Sequence, residues 1–306
     1  MQRILTILGP TATGKTRLAA NLAKSINAEI ISADSRQVYR GLNIGAGKDL
    51  NEYSVEGKQI PYHLIDICDI GEEYNVFKFQ EDFHRSLKKI SGANKNTILC
   101  GGTGLYIQSV LDGYKLYPVA SNPKLRAELE TKTQEELVAM LRELTKLHNV
   151  TDTSIKRRTI RAIEIAQYCK ENNITQEIFP EVNSLTFGIS LERRLLKEVI
   201  TSRLKQRLEN GMIEEVEGLI EKGISMDQLK FFGLEYKYLA QFISEELSYN
   251  DMFQKLNSAI HQFAKRQMTW FRRMEKQGHN IQWIDGNLDL EKKIELIKKR
   301  IKNVES

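Results

Sequence analysis

The chain has 306 residues, 41% of them hydrophobic, with 45 Lys and Arg against 40 Asp and Glu and a formal net charge of +5. That composition suits a chain with a packed core, and no apolar run is long enough to span a bilayer, so no association with a membrane is expected. The three cysteines, Cys68, Cys100 and Cys169, form no CxxC pair, which argues against a disulfide framework or a zinc site and for a reducing, cytoplasmic compartment.

In chain order, residues 3–8 (RILTIL) read as a buried first strand, since no small-residue cleavage site follows them. A Gly-rich turn comes next, then a helical pattern from Lys15 to about Ser25. Residues 28–33 (AEIISA) read as a second strand ending at Asp34. Residues 97–100 (TILC) read as another, stopped by Gly101 and Gly102, with Thr103 opening a helix to about Leu111. Strands alternating with helices predict a parallel sheet whose functional groups gather at the carboxyl ends of the strands. From 119 to 183 the pattern is helical and rich in charge, with Leu137, Met140, Leu141 and Leu144 at helical spacing. Residues 185–191 (LTFGISL) read as a strand that rejoins the sheet. Amphipathic helix follows to about Glu275, then a last strand at 281–284 (IQWI) and a basic helical tail. The expected fold class is therefore α/β: a P-loop parallel-sheet core made of residues 1–118 and 184–306, with an inserted helical domain at 119–183.

Three motifs carry chemistry. Gly9-Pro10-Thr11-Ala12-Thr13-Gly14-Lys15-Thr16 has P-loop spacing and stands between a strand and a helix. Glycines let backbone wrap an anion, amides and the helix N-terminus point positive dipoles at it, Lys15 adds a charge and Thr16 suits a magnesium ion. Asp34-Ser35-Arg36-Gln37 follows the second strand. Asp34 there is either a metal-holding acid or a helix cap, and Ser35 and Gln37 are groups that read the hydrogen-bonding edge of a base. Gly101-Gly102-Thr103-Gly104 follows the TILC strand, where a nucleotide hydrolase would carry an acid. The Thr103 hydroxyl either caps its helix or serves an anion or substrate. Two basic clusters, KRRTIR at 156–161 and KRQMTWFRR at 265–273, suggest a phosphate-bearing partner or solvated helix faces. Trp270 and Phe271 read as core residues.

The order and spacing of GPTATGKT, DSRQVY and GGTGLY resemble the tRNA dimethylallyltransferases, also called tRNA isopentenyltransferases. KRRTIRAIEI, RLKQRLENGMIEEV and AKRQMTWFRR resemble later family segments, so the likeness covers about residues 3–275. It implies transfer of a dimethylallyl group from dimethylallyl diphosphate to the exocyclic amine of the adenosine 3′-adjacent to the anticodon, releasing diphosphate. Asp34 would take the amine's proton. Lys15, Thr16 and Thr103 would hold the diphosphate with Mg2+. Asp34, Ser35, Arg36, Gln37, Thr103, Arg126 and the stretch Arg157, Arg158, Thr159, Ile160, Arg161 would contact the tRNA anticodon stem-loop. The chain departs from many members at Ile260-His261, where they have Thr-Arg, and at Leu234-Glu235-Tyr236 after Gly233. A monomer is the default expectation. An adenylate isopentenyltransferase, a small-molecule P-loop kinase and a non-catalytic RNA-binding protein are the competing readings.

Overall fold

The structure, a computed structural model, describes residues 3–145, 151–172 and 179–305. Strand β1 (Ile4–Leu8) leads into α1 (Lys15–Ile26) and β2 (Ala28–Ala33). A 3-10 turn at Leu50–Tyr53 precedes the short strands β3 (Ser54–Val55), β4 (Lys58–Gln59) and β5 (Tyr62–His63). Then come α2 (Val76–Gly92), β6 (Asn96–Gly101) and α3 (Gly104–Leu111). Four helices follow: α4 (Pro123–Glu130), α5 (Gln134–Leu144), α6 (Thr151–Ser154) and α7 (Lys156–Asn172). The chain returns through β7 (Ser184–Ser190) to α8 (Arg193–Glu209), α9 (Met212–Glu221), α10 (Met226–Phe231), α11 (Leu234–Ile243) and α12 (Tyr249–Lys276). It ends with β8 (Ile281–Asp285) and α13 (Leu290–Glu305).

Six strands form one sheet in the order β5-β2-β6-β1-β7-β8, and every neighbouring pair is parallel. Successive side chains of a strand point to opposite faces. In β1, Leu5 and Ile7 enter one apolar cluster with α1 and α13, while Ile4 and Leu8 enter another with α2, α3 and the end of α12. Burial on both faces is why these strands read as continuous apolar runs. Helices α8 to α12 build a third cluster around Leu204, Met212, Leu239 and Leu256. The parallel sheet and its helices are the expected α/β architecture. β5 and α2 fill a stretch for which the sequence suggested no element.

The described chain divides into two compact units, Met1–Gly113 with Pro180–Ser306, and Tyr114–Phe179. The second has its own small core of Leu129, Leu137, Leu141, Ile160 and Ile163. Its bounds fall a few residues before the 119–183 read from sequence. Val182, assigned there to the insertion, packs with Leu111 and Phe271 in the main unit. Residues 146–150 and 173–178 of that expected insertion lie outside the described residues. Among the described residues no helix is long and apolar enough to cross a membrane.

Candidate active site

The loop after β1 is shaped by contact with the neighbouring strand. Gly9 sits at φ 151°, and a Cβ there would run into the Ile189 carbonyl of β7, so the tight exit from the sheet requires glycine. The buried Thr13 hydroxyl donates to the Pro10 carbonyl at 2.9 Å, and Lys15 Nζ donates to the same oxygen at 2.6 Å. No side chain caps α1, which leaves its first-turn amides and dipole to an anion. Burial, followed by the charge of Arg203, lowers the Lys15 ammonium to about 8, against the pull of Asp34 and Glu52.

Two further strand ends stand beside this loop. Asp34 closes a turn rather than opening a helix: its Oδ1 accepts the Arg36 amide at 3.0 Å. Gly101 ends β6, where a Cβ would collide with the Ala33 carbonyl of β2. That close approach lets the Thr103 amide donate to the Ala33 carbonyl at 3.1 Å. Thr103 is the N-cap residue of α3, yet its hydroxyl makes no cap bond. Its Oγ1 instead accepts the Ser35 amide at 3.1 Å, so the hydroxyl proton remains to be donated. Behind them Cys100 is buried, and desolvation pushes its thiol up to about 12.

These groups line one cavity of about 630 Å³, together with Glu52, Arg203, Arg207, Glu235 and Gln267. Arg203 and Arg207 lie one turn apart on α8, and both pair with Asp49, Arg207 at 3.5 Å. Burial lowers the Arg207 guanidinium below its usual range and raises the carboxyls of Glu52 and Glu235 above theirs. Gln267 joins the loop after β1 to the loop after β6. Its Oε1 accepts the Thr11 amide at 2.8 Å, and its Nε2 donates to the Gly102 carbonyl at 2.9 Å. On α12 it is Ile260, not His261, that faces the cavity. His261 Nε2 lies 3.3 Å from the Lys197 carbonyl instead. Gln37, expected to read a base, lines the cavity but spends its amide on the protein. Its Oε1 accepts from the Ser32 hydroxyl and its Nε2 donates to the Gly47 carbonyl, each at 3.0 Å.

The helical unit corrects part of the expected nucleic-acid contact. Thr159 and Ile160 are 0% and 2% exposed, facing the unit's own core, so neither presents a surface to a partner. Arg126 and Arg161 both bind the buried Glu164 carboxylate, Arg126 through two nitrogens at 3.1 and 2.8 Å. Arg161 also donates to the Val119 carbonyl at 2.6 Å. Both arginines thus hold the unit's own helices. Arg157 and Arg158 are exposed on α7 and remain available. In the late basic segment Phe271 is fully buried and Trp270 packs against the same core.

A profile of the family described as IPP transferase matches residues 37–274. The tRNA dimethylallyltransferase 2 of Bacteroides fragilis is 52% identical over 98% of both chains. That of Phocaeicola vulgatus is 53% identical over 96% of both. Among solved structures, the full-length tRNA isopentenylpyrophosphate transferase of Bacillus halodurans superposes with a TM-score of 0.73 at 32% identity, over 99% of this chain and 96% of that one. A eukaryotic dimethylallyltransferase acting on tRNA shares the fold, with a TM-score of 0.74 at 23% identity over 94% of this chain and 74% of that one.

Proposed function

The chain belongs to the IPP transferase family and is an enzyme that prenylates tRNA, and from that premise we propose how its site does so. The donor is dimethylallyl diphosphate, held by the loop Gly9–Thr16. The acceptor is the exocyclic amine of the adenosine next to the anticodon, which leaves its stack to enter the cavity. The amine's lone pair forms the new N–C bond while the allylic C–O bond breaks and its electron pair leaves with diphosphate. Lys15, Arg203 and Arg207 stabilise that growing negative charge in a site where burial strengthens them. Asp34, set in place by the Arg36 amide, orients the amine and takes its proton. Thr103, whose hydroxyl proton is not used in capping, donates to the diphosphate. The single observation that carries the reading is that the phosphate cradle, Asp34 and Thr103 line the same cavity.

Mg2+ fits the donor set by its chemistry. Thr16, Asp34 and Glu52 offer only hard oxygens, and Mg2+ takes few protein ligands, filling the rest from water and phosphate. Thr16 with one of these carboxylates would hold it, and it would neutralise diphosphate charge. In this scheme the enzyme acts as a monomer in the cytoplasm. A kinase reading lacks support at the end of β6, where the neutral Cys100 stands.

The test is transfer of label from dimethylallyl diphosphate to tRNA with magnesium present. Wild type should transfer it, and Asp34→Asn should keep tRNA affinity while kcat falls by about 10²–10⁴. Near-normal turnover in that variant removes Asp34 from the role of base.

A further inference from the structure

Two large aromatic side chains line the cavity yet remain open to solvent. Phe231, the last residue of α10, is 56% exposed, and Phe263 on α12 is 39% exposed. Neither belongs to an apolar core cluster, although Phe231 touches the buried Phe232 edge-on at 5.7 Å. Next to Phe231, Phe232 is 3% exposed and packs edge-on against Tyr39. On α12 the buried stripe runs through Ile260, Ala264 and Gln267, and Phe263 stands beside it. Each exposed ring carries a guanidinium over its face: Arg36 at 5.6 Å from the Phe231 centroid, Arg266 at 5.8 Å from that of Phe263. A single exposed Phe on a surface needs no explanation, but two that line one cavity, each under a guanidinium, form a pattern. An Arg-backed Phe beside a cationic cavity is what unpaired bases stack on, because every base has a π-face and every nucleotide brings a phosphate.

We propose that Phe231 with Arg36, and Phe263 with Arg266, are two stacking platforms for unpaired anticodon-loop bases flanking the acceptor adenosine of the tRNA. The proposal rests on the tRNA-prenylation reading and adds the residues that hold the loop open around the flipped base. The rings accept the neighbouring bases' faces, which offsets the stacking lost when the adenosine leaves. The guanidiniums keep the rings in place and meet the adjoining phosphates. Both aromatics fall outside the family-like motifs of the sequence.

The test uses the full-length enzyme and a synthetic anticodon stem-loop RNA. Phe231→Ala and Phe263→Ala should each weaken stem-loop affinity by about tenfold, within the range found for single base–aromatic stacks. Affinity for dimethylallyl diphosphate and the Tm should stay at wild-type values. Phe231→Trp should retain binding within about threefold, while Phe231→Leu, of similar size but without a π-face, should lose as much as Phe231→Ala. An abasic site walked through the loop should locate the stacked base. At one position the abasic penalty seen with wild type should vanish in Phe231→Ala. Wild-type affinity in Phe231→Leu, or abasic penalties that add to the mutation at every position, overturns the proposal. A loss confined to donor affinity also overturns it, by assigning the rings to the prenyl chain. Failure of the prenylation reading would look different: wild type would bind the stem-loop but transfer no label.

Discussion

Lys15 and Gln267 show how single side chains would set the proposed donor site. Lys15 rests on the Pro10 carbonyl at 2.6 Å, and burial brings its ammonium down to about 8. The protonated form is the one that attracts a diphosphate. A pKa lowered to about 8 therefore leaves donor affinity full near neutrality and lost as the pH rises through that value. Isothermal titration with dimethylallyl diphosphate should show Kd rising above about pH 8 by up to tenfold per pH unit in wild type, the limit for one proton. In Lys15→Ala the binding should be weaker throughout and the inflection gone. Parallel profiles for the two proteins would assign the titration to another group. Gln267 acts at one remove, by fixing the Thr11 amide and the Gly102 carbonyl. Gln267→Leu strands both, and a buried polar group left unpaired costs about 1–3 kcal/mol. The donor KM should rise by about tenfold or more while the tRNA KM holds. A fall in Tm with the donor KM unmoved would make Gln267 a packing residue only.

At the scale of elements, α7, whose stretch from Arg157 to Arg161 is expected to contact tRNA, divides its charges instead. Arg161, with Arg126 from α4, turns to Glu164, whose side chain is 2% exposed. Burial alone would raise that carboxyl, but Arg126, the Asn122 amide and Arg161 hold it below its usual range. A lowered folded pKa means the contribution to stability is present above the ordinary carboxylate pKa and is lost as pH falls through the lowered one. Glu164→Gln leaves two half-exposed arginines without their charged partner and should destabilise the helical unit by about 1–2 kcal/mol, between the scales for an exposed and a buried pair. Hydrogen exchange of the α7 amides should quicken accordingly, and unchanged protection would contradict this account. The same helix shows what a sequence conceals. The P-loop, Asp34 and Thr103 were legible because each follows an apolar strand within a few residues. Arg161 and Arg157 look alike in sequence, because only packing decides which one meets an acid on a neighbouring helix. Gln267 left a signal that was passed over: one polar residue inside the apolar stripe Ile260, Ala264, Phe271. So did α2, where Asn75 caps a helix with Phe79, Phe83 and Ile90 buried on one side. Phe231 and Glu235 left none, since their place in the cavity comes from the packing of α10 and α11 with α12 rather than from local spacing.

For the whole molecule, a formal charge of +5 says little about affinity for RNA, because affinity depends on which cations face the partner and some of them face acids of the protein instead. Lys48 pairs with Asp66, and Arg126 and Arg161 with Glu164. The cations left for phosphates are exposed ones, among them Arg157 and Arg158 on α7 and Lys265 and Arg272 on α12. Binding to a polyanion releases counterions in proportion to the phosphates neutralised, so each contact adds about one unit to the slope of log affinity against log salt. Arg157→Ala with Arg158→Ala should therefore weaken binding of the anticodon stem-loop and flatten that slope by about two units. Donor affinity, proposed to rest on Lys15 and its loop, should not change. Arg126→Ala should behave in the opposite way, lowering the Tm through Glu164 before it alters the slope. Salt-titrated binding of the two proteins side by side separates charge that faces RNA from charge that holds helices. A full slope in the Arg157, Arg158 double variant, together with a lowered Tm, would move those two arginines into the structural class and shift the phosphate contacts to α12.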